Sequence, residues 1–319
     1  TAFIPTNMNG VYSFGPFGAF AGGAIIDSAG RNITLAAPLR APTGNGVTGI
    51  TLADKGSGYI GEPYVAIKGD GIGATAIANM EDDGNGAYRV ASVTITCPGT
   101  GYTTATVLFN GGGRSAVPPT VDAVTLAPNT SGGLTKQGTG TLTLGAANTY
   151  GGATTVAGGT LKLGHPAALP TATQVTLAGG TLDLNGYTVT NAVNGTGTLA
   201  NGSLRTVLSP AGEGALGSDT VTLSSATLAG GTYLADVSPS GTSDHVTVNG
   251  NIDLSGFDLV FVDPDQLDRH QIYTLLTCSG TRTGTFASNN LPSSRWHLVY
   301  RANGDVQLLY AGGTLIRLR

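Results

Sequence analysis

The chain has 319 residues, of which 51 are glycine and only 11% are charged, and its formal net charge is −4. Apolar residues reach 40%, so the low charge does not indicate disorder, and no Gly-x-y period indicates a collagen-like chain. The sequence contains no cluster of basic residues of the kind that indicates a nucleic-acid partner. No apolar run reaches the roughly 18 residues of a membrane span. The composition predicts a folded, turn-rich, all-β protein.

The first thirty residues mix aromatic side chains with glycine. Phe14, Phe17 and Phe20 stand among several glycines in this segment. Two interpretations are open: a segment that caps the open end of a β-stack, or an arm that docks onto a neighbouring subunit. The second interpretation makes these three phenylalanines candidate subunit-contact residues.

An internal duplication follows. Gly46–Tyr59 aligns without gaps to Arg89–Tyr102, an offset of 43 residues, and Tyr64–Ala76 matches Thr106–Pro118. In each copy, the sequence pattern predicts a strand, a Gly-x-Gly-Tyr corner, a second strand and a Gly-rich turn, in that order. We expect the tyrosine of each corner to pack its ring over that same glycine corner, which is a structural role. Residues 1–127 are therefore predicted to form an N-terminal, Gly-rich β-repeat domain.

An acidic tip lies between the two copies. Glu81, Asp82, Asp83 and Asn85 carry the hard oxygen atoms that Ca²⁺ prefers, which makes them a calcium candidate. Their spacing does not fit an EF-hand loop, and a solvated hairpin tip is the interpretation that we favour.

Two cysteines, Cys97 and Cys278, lie far apart in the sequence. They are a possible disulfide, within one chain or between chains, or they are two buried thiols. The count alone leaves these alternatives open.

Residues 128–242 repeat a short Gly-Thr-Leu unit. Gly132–Gly164 reads GGLTKQGTGTLTLGAANTYGGATTVAGGTLKLG, and its GGTLKL recurs as GGTLDL 21 residues later. Alternation with period two predicts strands with one buried face, and strands this short need the next copy stacked on them. A spacing near 20 residues suits one coil of a parallel β-helix, with Lys162 and Asp183 pointing outward.

Residues 243–319 contain longer and more apolar strands and are predicted to form a C-terminal β cap. Trp296–Tyr310 is typical of a hairpin that turns at Asn303-Gly304. The chain finishes on the alternating strand TLIRLR. Leu315, Ile316 and Leu318 are therefore further subunit-contact candidates, although an edge paired within its own domain is an equal alternative.

Two of these segments resemble a known family. Gly132–Gly164 resembles the autotransporter-associated β-strand repeat of passenger regions in Gram-negative surface proteins, and the tail is similar to the C-terminal part of such passengers. The resemblance covers about residues 131–310. It implies a right-handed parallel β-helix (a β-solenoid), export across the inner membrane and display outside the cell. The family is defined by architecture, so it implies no active site.

Motifs for catalysis are missing from the sequence. The four histidines have no paired metal spacing, and no GxSxG segment is present. Ser243, Asp244 and His245 are the residue types of a catalytic triad, but neighbours on a strand point to opposite faces. We expect no enzyme activity and no cofactor.

The sequence thus predicts an extracellular structural protein, a β-solenoid rod that self-assembles into a surface layer or filament. The partner would be a second copy, bound through chain ends or exposed strand edges, and neither nucleic acid nor a membrane span is expected. The alternative is an adhesin that binds a glycan or a host surface. A polysaccharide-degrading enzyme is a third and less favoured possibility.

Overall fold

The computed structural model describes residues 23–113, 115–171, 173–212 and 219–312. These residues contain β-strands and one 3₁₀ turn, Pro264–Gln266, but no α-helix. Of the described residues, 23–24 and 39–133 form one unit, and 25–38 together with those from 134 to 312 form the other. The predicted all-β class is confirmed. The stretch 39–133, which we call the inserted unit, interrupts the sequence of the second unit.

The strands are numbered in chain order. Two precede the inserted unit: β1 (Ala24–Asp27) and β2 (Ile33–Leu35). The inserted unit contains β3 (Asn45–Asp54), β4 (Tyr64–Gly69), β5 (Ile72–Asp82), β6 (Tyr88–Thr100), β7 (Ala105–Asn110) and β8 (Thr120–Pro128). The remaining strands are β9 (Leu134–Gln137), β10 (Thr141–Leu144), β11 (Thr154–Val156), β12 (Thr160–Leu163), β13 (Val175–Asp183), β14 (Thr188–Val189), β15 (Val193–Leu204), β16 (Val207–Ser209), β17 (Thr220–Leu228), β18 (Gly231–Ala235), β19 (His245–Asn249), β20 (Ile252–Asp253), β21 (Phe257–Phe261), β22 (Tyr273–Cys278), β23 (Arg282–Thr283), β24 (Trp296–Tyr300) and β25 (Val306–Tyr310).

The second unit is a parallel β-helix, as predicted. One ladder of parallel pairs stacks β9, β11, the start of β13, the start of β15, β16, β18 and β21. A second ladder stacks β2, β10, β12, the end of β13, the middle of β15, β17, β19 and β22. A shorter third ladder joins β14 to the ends of β15 and β17. The chain visits the ladders in turn and returns one level along, which is the course of a β-helix.

Apolar side chains stack in register inside this unit. Leu142 pairs with Leu161, Leu161 with Leu182, Leu182 with Leu199, and Leu199 with Leu223. These leucines are buried, and the ladder continues through Val248 to Cys278. Each buried leucine contributes about 1.5–3 kcal/mol relative to an exposed one. We call this column, from Leu142 to Cys278, the leucine ladder.

The first coil lies ahead of the inserted unit, which the sequence did not predict. β2 pairs in parallel with β10, so that Leu142 meets Ile33 and Leu144 meets Leu35. Ser28 Oγ also donates to the carbonyl of Thr139, 111 residues later. Residues 25–38 thus belong to the β-helix and not to a domain spanning 1–127. A three-residue strand is too short to show a period in the sequence.

The boundary predicted at residue 243 also differs from the structure. β19, β21 and β22 continue the parallel ladders, so most of the predicted cap consists of further coils. The antiparallel part is the hairpin β24–β25, and β25 pairs with β22. Its turn lies at Asn303-Gly304, as predicted, with Gly304 at a φ of +95°. The longer, more apolar strands after residue 243 are therefore mostly later coils of the same β-helix and not a separate cap.

The inserted unit folds its two sequence copies as an approximate twofold pair. The first copy is β3–β5 and the second is β6–β8. β5 pairs with β6 just as β8 pairs with β3, in each case antiparallel. β4 pairs with β7 so that Tyr64 meets Asn110 and Lys68 meets Thr106. Since Tyr64 and Lys68 align with Thr106 and Asn110 in the duplication, this pairing is symmetric.

The two corner tyrosines hold the copies together. Tyr59 and Tyr102 are both buried. A side chain at Gly112 would collide with the Tyr59 ring, and one at Gly71 would collide with the Tyr102 ring. Each ring therefore lies on a glycine of the other copy, and the role is structural.

Candidate functional site

Large exposed apolar side chains are concentrated in the inserted unit. Among the described residues, Ile25 and Ile272 are the two such side chains outside it. The seven inside it are Ile60, Tyr64, Ile72, Ile77, Tyr88, Leu108 and Val117. An uneven distribution of this kind directs the search for a binding surface to the inserted unit.

Three of these side chains are neighbours on the outer face of the sheet β6-β5-β4-β7. Tyr64 pairs directly with Ile77, and Leu108 pairs with Ala66, two residues beyond Tyr64. Residues two apart on a strand, and residues directly paired, share a face. Tyr64, Ile77 and Leu108 are 72%, 50% and 46% exposed. We call these three residues the apolar stripe.

The stripe is bordered mostly by uncharged polar side chains, with Lys68 as the next outward residue of β4 after Ala66. On β5 and β6, Thr75 Oγ1 and Thr96 Oγ1 share a hydrogen bond of 2.7 Å. Asn79 Nδ2 donates to Ser92 Oγ and to Thr94 Oγ1, at 3.0 and 2.8 Å. The sequence did not single out this face, because β4 reads YVAIKG and offers apolar residues to both sides.

The acidic tip uses its carboxylates for protein contacts. Glu81 Oε1 accepts from Lys55 Nζ at 2.9 Å and from Arg89 Nε at 2.6 Å, and these bonds lower the pKa of Glu81. Asp82 and Asp83 each accept from a backbone N–H two residues later. In the part of the chain that is described, no three His, Cys, Asp or Glu residues are grouped to hold a metal ion. The calcium candidate Glu81–Asn85 gains no support from this arrangement.

Ser243, Asp244 and His245 have separate partners. Ser243 Oγ donates to the carbonyl of Thr274 at 3.3 Å, while His245 Nδ1 lies 3.3 Å from Thr247 Oγ1. Asp244 Oδ2 accepts from the backbone N–H of Ala211 at 3.3 Å. These contacts are not those of a catalytic triad, in which the histidine bonds to both of the other groups.

Asp244 belongs instead to a buried acidic pair with Asp236, which the sequence did not reveal. Both side chains are buried, and the backbone N–H of Asp236 donates to Asp244 Oδ2 at 3.4 Å. Burial, together with the charge of Asp236, raises the pKa of Asp244 to about 7. Tyr233 donates its hydroxyl to the backbone carbonyl of Asp244 at 2.8 Å. The pair closes the base of the loop from 237 to 243, and its two members lie at the ends of different strands.

Both cysteines are free thiols. Cys97 lies in β6 and is half-buried, whereas Cys278 is buried in β22, in the other unit. Cys278 Sγ donates to the carbonyl of Gly250 at 3.2 Å. The possible disulfide within the chain is therefore not formed.

The chain-end candidates Phe14, Phe17, Phe20, Leu315, Ile316 and Leu318 lie outside the described residues, so their subunit contacts stay predictions. Within the described ranges, no helix has the length and apolar character that a bilayer crossing requires.

One stretch of the β-helix matches a known family. Residues 134–163 match the family model of the passenger-associated-transport-repeat. The stretch comprises β9 to β12, two successive coils in which Thr141 to Leu144 pair in register with Thr160 to Leu163. No curated protein matches the chain. Repeats of this family imply an extracellular or surface location in a Gram-negative bacterium. This match confirms the resemblance of Gly132–Gly164 to a repeat of autotransporter passenger regions. The resemblance of the tail to the C-terminal part of such passengers stays a prediction.

Proposed function

We propose that the chain is an extracellular structural protein, in which the β-helix is a rigid scaffold and copies associate into a surface layer or filament. The leucine ladder is the observation that carries this proposal. Its residues stack in register over successive coils, and an interior filled in this way is suited to stiffness.

Buried polar side chains support the same role, because they join one coil to the next. Lys136 Nζ donates to the carbonyls of Gln137, Gly138 and Gly158, the last of these 22 residues away. Asn148 Nδ2 donates to Ala168, and Asn191 Nδ2 donates to Pro170, 20 and 21 residues away. A sequence distance near 20 residues is about one coil. The nitrogen atoms of these three side chains are thus used in holding the coils together.

The proposed role is not catalytic. The separate partners of Ser243, Asp244 and His245 support this part of the proposal. Replacing His245 by Ala should leave any hydrolase activity found in the preparation unchanged. An activity lost in that variant would refute a purely structural role.

Negative-stain microscopy and sedimentation of the full chain test the assembly. We expect polymers that are lost when Phe14, Phe17 and Phe20, or Leu315, Ile316 and Leu318, are replaced by serine. Ile272→Ser is the matched control, since it removes an exposed apolar side chain from the β-helix itself. A chain that stays monomeric at high concentration would contradict assembly. Equal loss of polymers in the control would point to nonspecific association.

The apolar stripe favours a second candidate function, adhesion to a glycan or a host surface. In this proposal the β-helix displays the inserted unit, and the inserted unit binds. The two candidates differ in the unit that carries the function. Adherence of the chain to host cells or glycan-coated surfaces, measured beside sedimentation, separates them.

A further inference from the structure

We infer that the outer face of the sheet β6-β5-β4-β7 is a platform for a neutral saccharide, with the Tyr64 ring as its stacking surface. This inference rests on the second candidate function, adhesion. It goes further by naming the site, the ligand class and the side chains that bind.

The apolar stripe is not needed for folding. The opposite face of the same sheet already supplies the core, where Val65, Ala78 and Val90 pack around Tyr59. The duplication gives a second argument. The residue that aligns with Tyr64 in the other copy is Thr106, and the residue that aligns with Leu108 is Ala66. The same strand therefore forms in the other copy with a smaller side chain at the position of Tyr64 and at that of Leu108.

The area of the stripe favours a small ligand over a protein. An aromatic side chain offers roughly 150–250 Å² of contact area, so three partly exposed large side chains present on the order of 300–400 Å². A standard protein interface takes about 800 Å² from each partner. A second copy of this chain would thus have to bury the polar border as well.

The charges around the stripe favour a neutral ligand. Thr75, Thr94 and Asn110 occupy adjacent outward positions and offer hydroxyl and amide groups. Two charged side chains lie near this border. Lys68 is the next outward residue of β4 after Ala66, and Glu81 is already paired with Lys55 and Arg89. A saccharide has an apolar C–H face that can lie on Tyr64 and hydroxyl groups that can pair with the border.

The test uses the full chain on arrays of neutral hexose and N-acetylhexosamine oligosaccharides, with sialylated and sulfated arrays alongside. We expect binding to at least one neutral oligosaccharide. Tyr64→Thr should weaken it by about tenfold or more, Leu108→Ala by less, and Tyr64→Phe should retain it. The first two variants introduce the residue that the other copy carries, so the fold should tolerate them. Ile272→Ser, on the other unit, should bind as the unchanged chain does.

Several results would overturn the inference. These are no binding to any neutral oligosaccharide, binding restricted to charged ones, or binding that Tyr64→Thr leaves unchanged. Self-association that Tyr64→Thr abolishes would assign the face to a second copy instead. Adherence that persists in Tyr64→Thr would refute the platform and leave adhesion standing, whereas a chain that never adheres would remove the adhesion candidate itself.

Discussion

The two units use repetition in opposite ways. In the β-helix, each coil pairs in parallel with the next, and Leu142, Leu161 and Leu182 stack by translation. In the inserted unit, the two copies face each other across an approximate twofold, and each supplies strands to the other. Translation can continue coil after coil, whereas a twofold pair is complete with two copies. Among the described residues, the β-helix exposes two large apolar side chains, Ile25 and Ile272, whereas the inserted unit exposes seven.

The largest expected effect breaks the translational ladder. Leu182→Ala removes a fully buried side chain between two others and should lower the free energy of unfolding of the β-helix by about 2–5 kcal/mol. The single tryptophan, Trp296, lies in that unit, so its fluorescence during urea unfolding measures the change. Lys162→Ala, next to the ladder but outward, should change stability by less than about 1 kcal/mol. Similar losses in both variants would contradict the ladder.

The buried acidic pair should make the β-helix less stable as the pH rises. Asp244 has a folded pKa of about 7, above its ordinary value of 3.8, so the folded state holds its proton more tightly. The stabilisation that this protonated carboxyl gives the folded state is fully present below about pH 4 and is lost as the pH rises through 7. We expect the free energy of unfolding to decrease by a few kcal/mol between these two pH values. Urea unfolding followed by Trp296 measures it, and Asp244→Asn should flatten the profile; an unchanged slope would contradict the assignment.

The twofold contact can be tested without touching the β-helix. Gly112→Ala places a methyl group against the Tyr59 ring at a φ of +82°, and should destabilise the inserted unit by about 1–3 kcal/mol. Gly111→Ala is the matched control, because Gly111 has a similar φ of +77° and open space around it. Hydrogen exchange of β4 to β7 measures the difference. If both variants exchange alike, the ring contact does not hold the copies together.

The smallest expected effect concerns the stripe. Tyr64→Thr should change the stability of the inserted unit by no more than about 0.5 kcal/mol, since the side chain is exposed and away from the core. Thermal unfolding with hydrogen exchange on β4 measures it. A large loss would show that Tyr64 supports the fold and would weaken the binding argument.

The sequence predicted where the repeats lie better than it predicted which strands pair with each other. The spacing of GGTLKL and GGTLDL revealed the coils, because an inward leucine recurs at each level of the stack. The first coil was missed since β2 offers three residues and its partner lies beyond the inserted unit. The twofold was missed because a duplication states that two segments are alike and says nothing of how they pair.

The candidate sites were harder to foresee. Tyr64 and Val65 are both apolar, and alternation alone cannot tell which side of β4 faces solvent. Asp236 and Asp244 each look like loop residues in the sequence. The antiparallel bridge between Val237 and Ser243 closes the loop between them and brings the two buried residues together. The calcium candidate had the right atoms, but Glu81 found cationic partners on β6 and in the segment after β3.

The position of the inserted unit has a consequence for how the β-helix can form. Joining β2 to β10 closes a loop of about a hundred residues, and an unstructured loop of that length loses conformational entropy when its ends meet. The inserted unit removes most of that loss, because Asn45 pairs with Pro128 and its own folding brings its two ends together. The first coil then behaves as though it were joined to the second by a short connection. A module whose two ends are adjacent can thus interrupt the sequence of a solenoid and leave its stacking intact.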